Sequence, residues 1–233
     1  ADIAVNFLVQ GLRTPVSDSI MIAVTSMAAA TVVFWTSAVL LGGLLAFRAW
    51  RTFGLAFLTL AATFVFVPLL KWTINGSSAI NALSFPSGHA AFAAVLGGLI
   101  AVIGTRGLSR NVRTNVWAVA LSVSALIGFS RIYLSVHWPS DVIGGLLFGW
   151  TMAGLFGLFG ERIHEPSIRP AVIGLATTAA LLAAWGVHAT KSFDDDMGRY
   201  KPRHKVVGIA MKNWLGGGWK DIPAARIDLK GEF

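Results

Sequence analysis

Four short stretches of the chain carry residue types that do acid–base or anion chemistry: Lys71, Phe85-Pro86-Ser87-Gly88-His89, Ser130-Arg131 and His137-Trp138-Pro139-Ser140-Asp141. Lys71 and Arg131 supply positive charge, and the guanidinium adds a bidentate fork suited to a phosphoryl group. Ser87 and Gly88 stand where a helix start would present free N–H groups and the positive end of its dipole, a ready site for an anion. Pro139 suits a first helical turn, which puts His137 just ahead of the helix and Asp141 four residues on, within reach of its ring. A carboxylate holding one imidazole nitrogen makes the other a better nucleophile or base. His89 is then left to protonate a leaving oxygen.

The elements that must position these groups follow from composition. Of 233 residues 55% are hydrophobic and 13% charged, against about 25% charged in a soluble domain, and the mean hydropathy is +0.68. This is the composition of a membrane protein, not of a soluble globule or a disordered chain. The absence of Cys removes disulfides, Cys-ligated zinc, iron–sulfur clusters and thiol nucleophiles together. The formal charge of +8 is too sparse to form a basic stripe, so the expected partners are anionic lipid and the bilayer, with no nucleic acid. Ala1-Asp2-Ile3-Ala4 lacks the basic start of a secretory signal, so no cleavable targeting segment is expected and the chain reads as a fragment of a longer one.

Six runs free of Asp, Glu, Lys and Arg are long enough to cross a bilayer: Ile20 to Phe47, Thr52 to Leu70, Ser87 to Thr105, Thr114 to Ser130, Val142 to Gly160 and Ala171 to Thr190. The expected fold is all-α, an integral membrane bundle of six transmembrane helices plus an N-terminal interfacial amphipathic helix over residues 1–19. That helix sets Ile3, Phe7 and Leu8 against Asp2, Asn6 and Gln10. Gly42-Gly43, Gly97-Gly98, Gly144-Gly145, Gly149 and Gly154 allow close contact between membrane helices, and Pro68 predicts a local kink. Residues 1–190 form the membrane domain, and 191–233 read as a polar appendage or the start of a truncated domain.

Loop charge sets orientation. Arg48, Arg51, Arg106, Arg110, Arg113, Arg162 and Arg169 share one face, whereas Arg13, Lys71 and Arg131 lie on the other, which predicts the first set in the cytoplasm if the long tail is exempt. Alternating helix direction then brings all four chemical stretches to the outer face.

In order and spacing, these stretches resemble the signatures of the type 2 phosphatidic acid phosphatase (PAP2) superfamily, K-x6-RP, PSGH and SR-x5-H-x3-D. The second is complete at Pro86 to His89, and the third at Ser130-Arg131, His137 and Asp141. The resemblance implies that His137 attacks phosphorus to form a phosphohistidine, Asp141 orients it, and His89 is the general acid. Lys71, Ser87, the Gly88 amide and Arg131 would hold the phosphoryl oxygens. No metal and no cofactor are implied. The first signature departs from the pattern, with Ser78 and Ala79 in place of Arg-Pro; Asn75, Ser77, Ser78 or Asn81 offer neutral replacements. The family places two spans before the first signature, where this chain shows one span and an interfacial helix. Trp214 to Leu229 is similar to the start of an LssY-type segment attached to bacterial phosphatases of this kind.

The resemblance implies a metal-independent membrane lipid phosphatase in the bacterial inner membrane with its site facing the exterior. It would hydrolyse a lipid phosphate monoester or lipid pyrophosphate of the undecaprenyl pyrophosphate, phosphatidylglycerol phosphate, phosphatidic acid or lipid A class. The rivals are a lipid phosphotransferase using the same intermediate and a non-catalytic lipid-binding protein; the apolar runs argue against a soluble vanadate haloperoxidase. His164 and His188 read as structural or solvated, Asp194-Asp195-Asp196 as a solvated acidic turn, and most Trp as interfacial anchors.

Overall fold

The computed structural model describes residues 2–75, 85–163, 165 and 169–200, all helix and connecting turns. The helices in chain order are α1 (Asp2–Gln10), α2 (Pro15–Ser26), α3 (Ala30–Ala46), α4 (Trp50–Asn75), α5 (Gly88–Gly104), α6 (Arg110–Tyr133), α7 (Pro139–Gly160), α8 (Pro170–Lys191) and α9 (Phe193–Arg199). Large apolar side chains such as Phe34, Trp35, Leu58, Leu147 and Leu175 point outward, a surface suited to lipid rather than water.

Among the described residues, five stretches are long and apolar enough to cross a membrane: Pro15–Ala46, Trp50–Ile74, Arg110–Tyr133, Pro139–Gly160 and Pro170–Lys191. The remaining apolar run, expected as a span over Ser87 to Thr105, is the 17-residue α5, about 26 Å long. It is also the central helix. Ala90, Ala91, Ala94, Val95, Leu99 and Ile103 are fully buried, and α5 packs chiefly on α7, then on α6 and α8.

Glycine sets the closest of these contacts. A methyl group at Gly145 would strike the Ser87 carbonyl oxygen, one at Gly149 the Ala91 carbonyl oxygen, and one at Gly98 the Ala153 side chain. Gly104 and Gly174 bring α5 and α8 together in the same way. The expected role fails at Gly42 and Gly154, where an added methyl would meet nothing. α4 runs through Pro68 without ending.

Three boundaries differ from the apolar runs. The fourth run, only just long enough to span as counted, is part of a 24-residue helix, because α6 continues through Arg110, Arg113 and Arg131 at its ends. Residues 1–19 are not one helix. Thr14 caps α2 with a capping box shared with Ser17 and Pro15 starts the helix, which separates α1 from α2 because the residue before Pro disfavours helical geometry. The first span is itself broken between Ser26 and Ala30, although Met27-Ala28-Ala29 contains no helix breaker. Tertiary bonds account for the break. The Ala23 carbonyl, which would accept the Met27 N–H in a continuing helix, accepts instead from Trp185 Nε1 at 2.8 Å and Ser26 Oγ at 2.8 Å. The Met27 N–H turns back to Val24.

Polarity in α1 also runs against the expected interfacial arrangement. Asn6 is buried and Leu8 is 71% exposed. Gln10 Nε2 donates to the Tyr133 carbonyl at 3.0 Å, Asn6 Oδ1 accepts from Ser135 Oγ at 3.3 Å, and Asp2 Oδ2 accepts from Ser140 Oγ at 2.6 Å. The polar side of α1 is spent on the α6–α7 turn.

Candidate active site

The site is built where α6 ends and α5 and α7 begin. Past Tyr133 the chain folds back so that the Val136 and His137 N–H groups donate to the Arg131 carbonyl at 3.1 and 3.3 Å, with Ser135 at φ 54. α7 then starts at Pro139 behind Trp138. Asp141 Oδ2 accepts the Trp138 N–H at 3.0 Å and lies 3.3 Å from His137 Nδ1. Both side chains are buried, at 6% and 5% exposure. The Asp141 carbonyl accepts the Ser87 N–H at 2.9 Å, which fixes the start of α5 against the start of α7.

Burial pushes the His137 imidazole below its ordinary value; the Asp141 hydrogen bond opposes that, and the charges of Arg131 and Lys71 reinforce it. The ring is therefore neutral at pH 7. With Nδ1–H directed to Asp141, its Nε2 lone pair is the free nucleophilic position. His89, in the first turn of α5, lies within electrostatic reach of Arg131, His137 and Lys71. Lys71, half-buried in the last turns of α4, is a neighbour of Asp141 and Arg131.

Arg131 is buried in the last turn of α6. Its Nη1 donates to Thr25 Oγ1 at 3.0 Å and to Tyr200 Oη at 2.9 Å. Its Nε is buried with no partner among the described residues, and so is the Oγ of the fully buried Ser87. Buried donors of this kind are normally paired. Ser87 precedes α5 without capping it through its side chain, so the amides of the first turn of α5 keep their anion-binding character. The arrangement offers a nucleophilic imidazole, a second imidazole, two cations and unspent donors in one place, as attack on a phosphoryl group requires.

Lys71, Ser87, Gly88, His89, Arg131, His137 and Asp141 thus lie at one end of the bundle. Ser77, Ser78, Ala79 and Asn81, together with the Asn75 side chain, lie outside the described residues, as do His164 and residues 201–233. Among the described residues no three carboxylate, imidazole or thiol groups gather as a metal ion would require.

Composition and spacing missed several groups here. Thr25 reaches Arg131 from α2, and Tyr200 from just after α9, in a segment expected to be an appendage. Arg13, counted as an outer-face cation, forms a fork with Asp18 at 3.0 and 2.9 Å, donates to the Tyr200 carbonyl at 3.0 Å and lies over the Tyr133 ring. Asp196 corrects the reading of the acidic run as a solvated turn: it is buried, with Oδ2 3.3 Å from His188 Nε2. His188 Nδ1 lies 3.1 Å from Thr31 Oγ1, so it joins α3, α8 and α9. One signal was available: the chain has only two Tyr, and both stand at this end of the bundle.

Residues 68–164 match the family model of the PAP2 superfamily. Phosphatidylglycerophosphatase B of Bacillus subtilis is 35% identical over 88 residues, covering 36% of this chain and 43% of the relative. Undecaprenyl-diphosphatase of Sulfolobus acidocaldarius is 38% identical over 66 residues, 28% of each chain. The chain spans less than half the length of these curated relatives. The crystal structure of a transmembrane PAP2-type phosphatidylglycerolphosphate phosphatase from Bacillus subtilis superposes with a TM-score of 0.62 at 25% identity, covering 71% of this chain and 87% of that one.

Proposed function

Because residues 68–164 match the family model of the PAP2 superfamily, we propose that the chain is a multi-pass membrane lipid phosphatase acting on a lipid phosphate monoester or a lipid pyrophosphate. The observation that carries this reading is the pair of buried donors without a partner among the described residues, Ser87 Oγ and Arg131 Nε, beside the buried His137–Asp141 couple. Donors fixed in this way bind a phosphoryl group best as charge develops on its oxygens.

In the proposed reaction His137 Nε2 attacks phosphorus in line with the leaving oxygen. The P–O bond to the lipid breaks as N–P forms, and His89 delivers the proton that the departing oxygen needs. Asp141 holds Nδ1–H and stabilises the positive ring. Water then attacks the phosphohistidine, giving up a proton to His89, and inorganic phosphate leaves with the imidazole restored. Lys71, Ser87, the Gly88 amide and Arg131 hold the three non-bridging oxygens throughout. The relatives named for phosphatidylglycerophosphate and undecaprenyl diphosphate support testing both substrate classes. The Arg-rich loops at the opposite end of the bundle favour a site on the outer side of the cytoplasmic membrane.

The test is phosphate release by the full chain in detergent, with EDTA present, from a panel of lipid phosphates and pyrophosphates. Release that disappears in His137→Ala supports the reading. Release that depends on added metal, or that survives in His137→Ala, refutes it.

A further inference from the structure

α9 begins two residues after the last membrane helix ends and is anchored at three points. Asp196 meets His188 of α8, the Tyr200 carbonyl accepts from Arg13, and the Tyr200 ring lies under the Arg131 guanidinium at 5.5 Å. Arg13 is in turn held by its fork to Asp18 at the start of α2. Tyr200 is 8% exposed. The outcome of all these contacts is one bond, Arg131 Nη1–H to Tyr200 Oη at 2.9 Å.

An arginine has five donors in a planar fork, and which edge faces an anion depends on what holds the others. Here Thr25 and Tyr200 take Nη1 from two different elements. The donors left for phosphoryl oxygens are on the Nε and Nη2 edge, where Nε is buried without a partner among the described residues. Arg199, next in the chain to Tyr200, is 68% exposed at its side chain and lies 3.9 Å from Asp196 Oδ1.

We propose that Tyr200, just after the last span, is a working part of the phosphate site: it is a positioning residue that turns the bidentate edge of Arg131 toward the phosphoryl group. This rests on the phosphatase reading, which treats Arg131 as a phosphate ligand. It removes the division between a membrane enzyme and an inert appendage, since truncation before residue 200 would leave the signature residues in place and still impair the site.

The test uses orthovanadate as a phosphoryl mimic, with its binding to the full chain in detergent measured by calorimetry alongside turnover of a lipid phosphate. Tyr200→Phe keeps the ring over Arg131 and removes only the acceptor oxygen. It is expected to weaken orthovanadate binding and raise KM, each by about tenfold, with thermal unfolding unchanged. In an Arg131→Ala background Tyr200→Phe is expected to have no further effect, because it acts through that side chain. Wild-type orthovanadate affinity in Tyr200→Phe, or equal losses with and without Arg131, would overturn the proposal. Absence of turnover in wild type with orthovanadate still bound would instead count against the phosphatase reading alone.

Discussion

The amide of Ser87 donates to the carbonyl oxygen of Asp141 at 2.9 Å, although the two residues lie 54 positions apart in the chain. Each belongs to a different chemical stretch. Ser87 presents the start of α5 to an anion, and Asp141 orients the imidazole of His137. The bond therefore sets the distance between the anion end of the site and its nucleophile. What allows it is the glycine face of α7, on which α5 lies with backbone nearly touching backbone.

That close packing makes Gly145→Ala a sharp probe. The added methyl collides with the Ser87 carbonyl oxygen and would stand 3.1 Å from the Ala90 side chain, so α5 has to move away at the site. Destabilisation of about 1–3 kcal/mol is expected, with loss of turnover on the order of 100-fold as Ser87 leaves its position. Gly154→Ala, on the same helix but facing open space, is the control: no loss of stability and full turnover. Equal behaviour of the two variants in thermal unfolding and phosphate release would refute the packing argument.

The local chemistry of the site was legible because it is written in short spacings. Pro139 fixes a helix start, and the first turn of that helix carries Asp141 back to His137, four positions earlier in the chain. The helical runs were legible because each outward face needs apolar side chains in lipid. The break after Ser26 was not, since Met27-Ala28-Ala29 is helix-forming and the cause lies in Trp185, more than 150 residues away. The inward polar face of α1 was missed for the same reason: Asn6 and Gln10 satisfy carbonyl and hydroxyl groups of the α6–α7 turn, which periodicity cannot show. Tyr200 escaped because the scarcity of Tyr singles out a residue without naming the buried arginine as its partner.

Asp141→Asn tests the orienting role. An amide is close in size to the carboxylate, so the packing survives, but it cannot stabilise the positive ring. It is also free to present its NH2 to Nδ1 and favour the wrong tautomer. Turnover is expected to fall by roughly 10²–10⁴-fold with little change in KM. A variant retaining more than about a tenth of wild-type kcat would remove Asp141 from the mechanism.

The pH profile follows from the burial of His137. Its protonated form cannot attack, and burial with the neighbouring cations holds its pKa below the ordinary value, about 6.5. Activity is therefore expected to rise along an acid limb with a midpoint under that value and to be independent of this group at neutral pH. Asp141 pulls the other way, so in Asp141→Asn the limb should move to still lower pH. Comparing the two proteins on one substrate cancels the ionisation of the phosphate itself. A limb that shifts upward in the variant would contradict the assignment.

At the opposite end of the bundle Glu165 caps α4 from a distant loop. Its carboxylate accepts the Arg51 and Thr52 amides at 2.9 and 3.1 Å and the Thr52 hydroxyl at 2.6 Å. Arg106 donates to the same Thr52 hydroxyl oxygen and to the Gly160 carbonyl, so one clasp ties α4, the end of α5 and the end of α7. Burial opposes ionisation of Glu165, but the hydrogen bonds and Arg106 together outweigh it and hold the pKa below the ordinary carboxylate value. A depressed carboxylate stabilises the fold above its unfolded pKa, and that contribution is lost as pH falls through the folded one. Glu165→Ala is expected to cost about 0.5–2 kcal/mol at pH 7, the worth of a helix cap, seen as a lower Tm in detergent. Phosphate release below that Tm should be unchanged, because the clasp lies at the far end of the helices from His137. The gap in Tm between wild type and variant should then narrow as pH falls below about 4.3. A constant gap across that range would mean that charge plays no part in the clasp, and no gap at any pH would mean that Glu165 does not hold α4 in place.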